Sequence, residues 1–128
     1  MSRKRKGIDA ERELIRLLWE KGSAACRVAG SGSSSFPCPD IIAGNAVRKL
    51  AIECKTSKEE SRYIPKESIE QLKTFARVFG AEPWIAVRFA KNNWLFVSLD
   101  DMEDTGNHLS INLENAKNKG FLIEELLK

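Results

Sequence analysis

Two short apolar runs joined by a turn occupy residues 39–55, and they constrain the fold more than any other part of the chain. Residues 41–43 form the first run, and Gly44-Asn45 is a turn signal. Residues 49–55 alternate apolar and polar side chains, as a half-buried strand does, with the even-numbered residues on the apolar side. We therefore predict a β-hairpin that packs one face on a core.

Three charged residues stand at one end of this predicted hairpin. Asp40 heads the first run, and Glu53 and Lys55 close the second. The alternation places Glu53 and Lys55 on the same face, about 7 Å apart at their backbones. Antiparallel pairing brings Asp40 beside Glu53, so that two carboxylates and an amine converge. The simpler alternative is a surface hairpin in which Glu53 and Lys55 form an ordinary ion pair of little energy.

A carboxylate also lies on the apolar face of the first predicted helix, at about residues 7–21. At roughly 100° per residue, Glu11 falls within the arc of apolar side chains. An isolated buried charge is costly, so such a group is usually paired, protonated or bound to a metal. The alternative is that Glu11, near the start of the helix, leans toward solvent or a nearby lysine.

These residue types suit the hydrolysis of a phosphodiester. Mg²⁺ prefers hard oxygen ligands and often takes one or two carboxylates together with water and substrate phosphate. Asp40 and Glu53 are therefore candidate metal ligands, and Glu11 could bind the metal directly or through water. Lys55 can stabilise developing negative charge or orient the water. The hypothesis from these residues is the metal site of a nuclease.

Basic residues in several parts of the chain are candidates for contacting phosphates. The net charge of +3 and the pI near 8.8 are compatible with a nucleic-acid partner without requiring one. The run at residues 3–6 is either an arm that grips phosphates or a solvated tail. The polar segment 56–62, expected to be exposed, contributes Lys58 and Arg62. A small-residue loop at residues 30–35 lies at the rim of the predicted site.

The length and composition favour a single domain. The 128 residues form one predicted unit, residues 1–128, with a basic N-terminal tail at residues 1–6. No apolar run approaches the roughly 20 residues that cross a bilayer, so we expect no membrane contact and a cytoplasmic location. The three cysteines show neither a disulfide nor a zinc-ligand spacing.

The remainder of the chain supplies further predicted elements. We expect a strand at residues 24–29, a helix from Pro65 to Gly80, and two strands at residues 84–89 and 94–99. The apolar residues 121–127 predict a short helix that either docks on the sheet or meets another subunit. The acidic residues at 100–104 indicate a helix start or loop in preference to a metal site, and His108 is expected to be structural or exposed.

Several motifs resemble a known nuclease family. Pro39-Asp40 followed by Glu53-Cys54-Lys55 matches the P-D…(D/E)-x-K pattern of the restriction-endonuclease-like superfamily. Gly7…Glu11-Arg12-Glu13-Leu14 and Arg27-Val28-Ala29-Gly30-Ser31 are similar to the archaeal Holliday junction resolvases. The resemblance implies an α/β fold, with a central mixed β-sheet of about five strands flanked by helices and a restriction-endonuclease-like core.

The resemblance also implies an activity and its partners. It implies a homodimeric, Mg²⁺-dependent endonuclease, with Mn²⁺ as an alternative ion, that nicks two strands of a four-way DNA junction symmetrically in recombination and repair. A two-fold dimer places two copies of one site in the relation that such matched cuts need. No small-molecule cofactor is expected.

Site roles follow from the motifs and the resemblance together. The expected catalytic residues are Glu11, Asp40, Glu53, Lys55 and Ser31, and the expected metal ligands are Glu11, Asp40, Glu53 and the Cys54 backbone carbonyl. The expected DNA-binding residues are Arg3, Lys4, Arg5, Lys6, Arg12, Arg27, Ser31, Gly32, Ser33, Lys58 and Arg62. Two alternatives are a sequence-specific restriction-type nuclease, which would ordinarily need an added recognition domain, and a non-catalytic junction-binding protein on the same scaffold.

Overall fold

The computed structural model describes residues 3–33 and 35–128, with the backbone only for residues 3 and 4. Helices and strands follow one another along these residues. They are α1 (Arg3–Glu20), β1 (Ala24–Arg27), β2 (Ile41–Gly44), β3 (Lys49–Ser57), β4 (Ser61–Pro65), α2 (Lys66–Phe79), β5 (Glu82–Phe89), β6 (Leu95–Val97), β7 (Glu103–Asp104), β8 (His108–Asn112), α3 (Leu113–Lys119) and α4 (Ile123–Leu126). Short 3-10 turns cover Ser31–Ser33 and Leu99–Asp101.

The larger sheet has five strands in the order β1-β2-β3-β5-β6. β3 and β5 pair in parallel, and all other neighbours in this sheet pair antiparallel. Parallel neighbours need a crossover connection, which β4 and α2 provide. The predicted central mixed sheet of about five strands, flanked by helices, is confirmed.

The predicted hairpin is formed by β2 and β3, with Ile41 opposite Ile52. Leu50 and Ile52 are fully buried in the core that α1 and α4 cover, and Cys54 packs against the same core. Ala51 belongs instead to the core on the α2 side of the sheet. The predicted alternation is therefore confirmed, and β3 separates two apolar cores.

A second sheet of three strands, in the order β4-β8-β7, was not predicted. Its pairing joins distant residues, with Arg62 opposite Ile111 and Ile64 opposite Leu109. The expectation that residues 56–62 form an exposed polar segment is wrong in part, because β3 runs on to Ser57, β4 begins at Ser61, and only residues 58–60 are exposed throughout. The local sequence holds no signal for these long-range backbone hydrogen bonds.

Helix α1 begins at Arg3, four residues before the predicted start at residue 7. Residues 3–6, predicted as an arm or a solvated tail, therefore form its first helical turn. The guanidinium of Arg5 lies 4.0 Å from Asp9, one turn further along. Ala10, Leu14 and Leu18 are buried on the face that meets the sheet. The basic residues are thus attached to the helix that also carries Glu11.

The later elements largely follow the sequence pattern. α2 lies between Pro65 and Gly80, whose φ of 83° closes the helix in the left-handed conformation that favours glycine. The acidic residues at 100–104 form a 3-10 turn and the edge strand β7, and His108 is exposed. α4 docks on the sheet through Ile123 and Leu126. Among the described residues, no helix is both long and apolar enough to cross a membrane.

Candidate active site

Asp40 immediately precedes β2, and its hydrogen bonds join three strands. Its amide donates to the Ile52 carbonyl at 3.0 Å, and its carbonyl accepts from the Val28 amide at 2.8 Å. Its Oδ2 accepts from the Cys54 amide at 2.9 Å, and its Oδ1 accepts from the Ser31 hydroxyl at 2.9 Å. Both carboxylate oxygens are therefore oriented by donors, and each keeps a lone pair for another ligand.

Glu53 lies on β3 beside Asp40, as the hairpin register requires. Its side chain is only 18% exposed, and its Oε2 lies 3.7 Å from the Nζ atom of Lys55, which is 22% exposed. The two carboxylates and the amine that the sequence placed at this end of the hairpin do converge. Their burial distinguishes them from the ordinary surface ion pair of the alternative reading.

Glu11 reaches the same site from α1. Its side chain is 16% exposed, and its Oε1 lies 3.6 Å from the Nη1 atom of Arg27, at the end of β1. The predicted location on the apolar face is explained by this ion pair, and the alternative of a Glu11 turned to solvent or a lysine is wrong. Arg27 was expected to contact DNA; its contact in the structure is with Glu11.

Two carboxyl groups of the site, those of Glu11 and Glu53, have raised pKa values. Burial, followed by the negative charge of Asp40, raises the pKa of Glu53 from 4.5 to about 8. Burial, and then Asp40, also raises the pKa of Glu11, against the opposing influence of Arg27. Burial raises the pKa of the Cys54 thiol well above its usual value. Burial and mutual repulsion thus oppose ionisation of these carboxyl groups, and a bound cation would favour their charged form.

Three cavities lie along the N-terminal half of α1. Glu11 lies between two of them: one of about 550 Å³ shared with Arg27, Ser31 and Asp40, and one of about 460 Å³ shared with Lys55 and Arg62. The third, also about 460 Å³, is lined by Lys58 and Arg88 among others, and Lys6 lines both this cavity and the second. Gly7 and Ala10 line the second cavity, and their small size leaves space beside the helix. The result is a groove with cations along it, with Glu11 between two of its cavities and Asp40 in one of them.

The donor set fits a divalent cation held by few protein ligands. Among the described residues, no three His, Cys, Asp or Glu side chains are grouped to hold a metal by themselves. Asp40 and Glu53 nevertheless offer two adjacent carboxylates, and Mg²⁺ is commonly bound by one or two, with waters and phosphate completing the shell. Glu11, already paired with Arg27, is better placed for a water-mediated contact.

The whole chain is similar to one family of archaeal proteins. The model of that family, described as "Archaeal holliday junction resolvase (hjc)", matches residues 2–128. The chain belongs to this family. The crossover junction endodeoxyribonuclease Hjc of Archaeoglobus fulgidus is 48% identical over 123 residues, which cover 96% of this chain and 90% of that protein. The Hjc enzyme of Methanocaldococcus jannaschii is 38% identical over 126 residues, covering 97% and 80% respectively.

A solved structure agrees with this assignment to the Hjc family. The 1.6 Å structure of A. fulgidus Hjc, a Holliday junction resolvase from an archaeal hyperthermophile, superposes with a TM-score of 0.88 at 44% sequence identity. The match covers 92% of this chain and 95% of that one. The α/β fold expected from the resemblance is therefore that of a family member.

The structure of this Hjc family member brings some of the predicted site residues together and leaves others apart. Glu11, Ser31, Asp40, Glu53 and Lys55 come together, with the Cys54 backbone between them. The predicted DNA-contacting residues in the groove or on its rim are Lys6, Arg27, Lys58 and Arg62. Arg5, Arg12 and Ser33 are exposed. The side chains of Arg3 and Lys4 and the environment of Gly32 lie outside the described residues.

One cluster beside the site has almost no signal in the sequence and was not predicted. The Glu13 carboxylate accepts hydrogen bonds from the Arg88 guanidinium and, at 3.3 Å, from the Trp94 indole. The Arg88 guanidinium carbon lies 5.1 Å from the centroid of the Trp94 ring. This cluster ties α1 to β5 and the loop before β6. The only signal was Glu13 itself, two residues after Glu11, and its partners lie more than 70 residues away along the chain.

Proposed function

We propose that this Hjc family member is a metal-dependent, structure-selective DNA endonuclease that resolves four-way junctions by paired, symmetric nicks. The observation that carries the proposal is the convergence of Asp40, Glu53 and Lys55, with Ser31 and the Cys54 amide orienting both oxygens of Asp40. The names of the relatives, crossover junction endodeoxyribonucleases, support the same substrate.

Asp40, Glu53 and the Cys54 backbone carbonyl would hold Mg²⁺ or Mn²⁺, with Glu11 contributing directly or through water. When bound, such an ion lowers the pKa of a bound water and neutralises charge on the phosphoryl oxygens. Two adjacent, partly buried carboxylates support a hard divalent ion of this kind. We expect no small-molecule cofactor.

The protein groups around these ligands have separable tasks. Lys55 brings a positive charge within 3.7 Å of the Glu53 carboxylate, where it can hold the attacking water and stabilise charge that develops on the phosphoryl group. Ser31 and the Cys54 amide fix the Asp40 carboxylate in one orientation, so that little reorganisation is needed during the reaction. Arg27 keeps Glu11 directed at the site and favours its ionised form.

The groove along α1 is the proposed path of the DNA backbone. Lys6, Lys55, Arg62, Lys58 and Arg88 line its cavities, and phosphate contacts of this kind position a duplex without reading its sequence. Selectivity would then come from the shape of the junction and the placement of its phosphates. Binding should weaken steeply as the salt concentration rises.

A homodimer is the proposed assembly, because paired cuts on a two-fold substrate need two sites in two-fold relation. The C-terminal half of α2 offers an apolar surface, defined by Val78 and Phe79, which are 76% and 51% exposed. The Phe79 ring stacks on Phe75, with the ring centroids 5.2 Å apart. Exposed apolar patches of this kind mark protein contacts, and a second copy is the occupant that symmetric cutting requires. The cytoplasmic location expected from the sequence stays a prediction.

The direct test compares cleavage of a synthetic four-way junction with that of a linear duplex built from the same arm sequences, in Mg²⁺. Cleavage of the junction at symmetric positions, with the duplex left intact, is the expected result. Equal cleavage of both substrates would show a general nuclease without selectivity for junctions. Cleavage of a duplex at one sequence would indicate a restriction-type enzyme, and binding without cleavage in any divalent ion would indicate a junction-binding protein.

A further inference from the structure

Arg62 enters the site from the second sheet and not from the sheet that carries the motif. It lies on β4, opposite Ile111 of β8. Ile64, two residues along and so on the same face, is fully buried, while Tyr63 between them is exposed. Arg62 therefore occupies an inward-facing position. Its side chain lines the cavity that Glu11 and Lys55 also line.

The Arg62 side chain has a hydrogen-bond donor that is not satisfied within the described residues. Its Nε atom is buried and has no hydrogen-bond partner among the described residues. Other partly buried arginines are paired: Arg27 with Glu11, Arg48 with Glu82, and Arg88 with Glu13. No carboxylate in the described part of the chain forms an ion pair with Arg62. A buried donor without a partner destabilises the protein, and a ligand that drew the guanidinium group further into the cavity it lines would relieve that cost.

The walls of this cavity indicate what the acceptor is. Lys6 and Lys55 contribute two further cations, and Thr56 contributes a hydroxyl. The guanidinium group carries several donors in a planar fork that matches phosphate oxygens. Glu11, Cys54 and Lys55 of the proposed reaction centre line one end of this cavity, whereas Asp40 and Glu53 do not line it. The cavity therefore extends from the reaction centre toward Lys6 and Arg62.

We infer that Arg62, with Lys6, binds a DNA phosphate adjacent to the one that is cleaved, so that the second sheet contributes a substrate-positioning subsite. This inference rests on the proposed nuclease function. The subsite fixes the register of the strand relative to Asp40 and Glu53. Because it acts on the bound strand before and during the reaction, it contributes to binding more than to the chemical step.

A phosphate scan tests the inference. Junctions carrying a single neutral methylphosphonate at each position around the nick are cut in Mg²⁺ under single-turnover conditions by the wild type, Arg62→Gln and the control Lys117→Gln. Lys117 is an exposed cation on α3, outside the three cavities along α1. Arg62→Gln should raise the half-saturating protein concentration about tenfold, with the maximal rate nearly unchanged.

The decisive result is how the loss of cleavage depends on the position of the methylphosphonate in each variant. Wild type and Lys117→Gln should be weakened by the neutral group at one phosphate next to the nick, and Arg62→Gln should be insensitive there, having already lost that contact. Equal sensitivity of Arg62→Gln at every position would overturn the inference. In equilibrium binding, Arg62→Gln should also flatten the slope of log affinity against log salt by about 0.9, the effect of one phosphate contact.

Stability separates a binding role from a structural one. Removing an unpaired buried donor should leave the Tm of DNA-free Arg62→Met unchanged or higher, whereas a marked fall would show that Arg62 supports the fold and would overturn the inference. Arg62→Lys should restore part of the affinity. If the wild type cut no junction, the proposed function would fail, yet the salt slope would still decide the role of Arg62.

Discussion

The backbone amide of Cys54 donates a hydrogen bond to Asp40 Oδ2 at 2.9 Å, and this contact joins the two halves of the P-D…E-x-K motif. Because Asp40 also accepts from Ser31 Oγ at 2.9 Å, its carboxylate is held from both sides. The orientation of the first proposed metal ligand thus depends on the strand that carries the other two motif residues.

Ser31→Ala should lower the maximal rate of junction cleavage about tenfold, because one of the two donors that orient Asp40 is lost. Junction binding should be almost unchanged. The measurement is single-turnover cleavage across a range of protein concentrations, with Ser68→Ala on α2 as the control for the same chemical change. A rate equal to that of the wild type would show that the Cys54 amide alone is enough to orient the Asp40 carboxylate.

The stability of the metal-free protein should fall as the pH rises from about 5 to about 8, in part because of Glu53, whose pKa is raised from 4.5 to about 8. Between these values the unfolded chain has released the proton that folded Glu53 retains, so rising pH favours unfolding. The full effect is on the order of a few kcal/mol. Thermal melts in EDTA should show a smaller decline for Glu53→Gln. Parallel curves for the two proteins would contradict the raised pKa of Glu53.

Arg27→Gln should reduce cleavage and move the acidic limb of its pH profile to higher pH, because Arg27 opposes the rise in the pKa of Glu11. The matched control is Arg16→Gln, which breaks the exposed pair of Arg16 with Glu20 on the same helix. Exposed pairs contribute little, so that variant should change stability by less than about 0.5 kcal/mol. The profile is measured as single-turnover rate against pH, and an unshifted limb in Arg27→Gln would argue against a role for Glu11.

Val78→Glu should abolish the proposed homodimer, because a charge on the apolar surface of α2 opposes burial against a second copy. Val47→Glu is the matched control, since Val47 is 86% exposed on the turn between β2 and β3. Sedimentation equilibrium gives the assembly state. On a circular DNA carrying one junction, Val78→Glu should yield single nicks in place of paired cuts. A dimeric Val78→Glu would exclude this face as the interface.

Local patterns predicted much of this fold. The hairpin, α2 and the apolar face of α1 follow from residue periodicity and turn residues, since each is stabilised largely by neighbours in the chain. Asp40 and Glu53 could be paired from the sequence alone because an antiparallel hairpin leaves little freedom of register. The part of the candidate site formed by Asp40, Glu53 and Lys55 could therefore be predicted from the sequence.

Contacts between residues far apart in the chain could not be predicted from these local patterns. The partner of Glu11 is Arg27, on a different element, and no spacing rule connects them. The β4–β8 pairing joins Arg62 to Ile111, and the inward direction of Arg62 follows from that pairing. In the sequence Arg62 is one polar residue in a polar segment, because its burial depends on a second sheet without a local signal.

Asp40→Asn provides the most direct test of the central claim, which is that Asp40 and Glu53 form the metal-binding centre of a junction endonuclease. Asn keeps the shape of the side chain and an oxygen for the Cys54 amide, so the fold should be preserved. On a synthetic four-way junction in Mg²⁺, we expect cleavage to fall by roughly a thousandfold, about 4 kcal/mol in activation free energy, with junction affinity nearly unchanged. Undiminished cleavage by Asp40→Asn would contradict the assignment of this site.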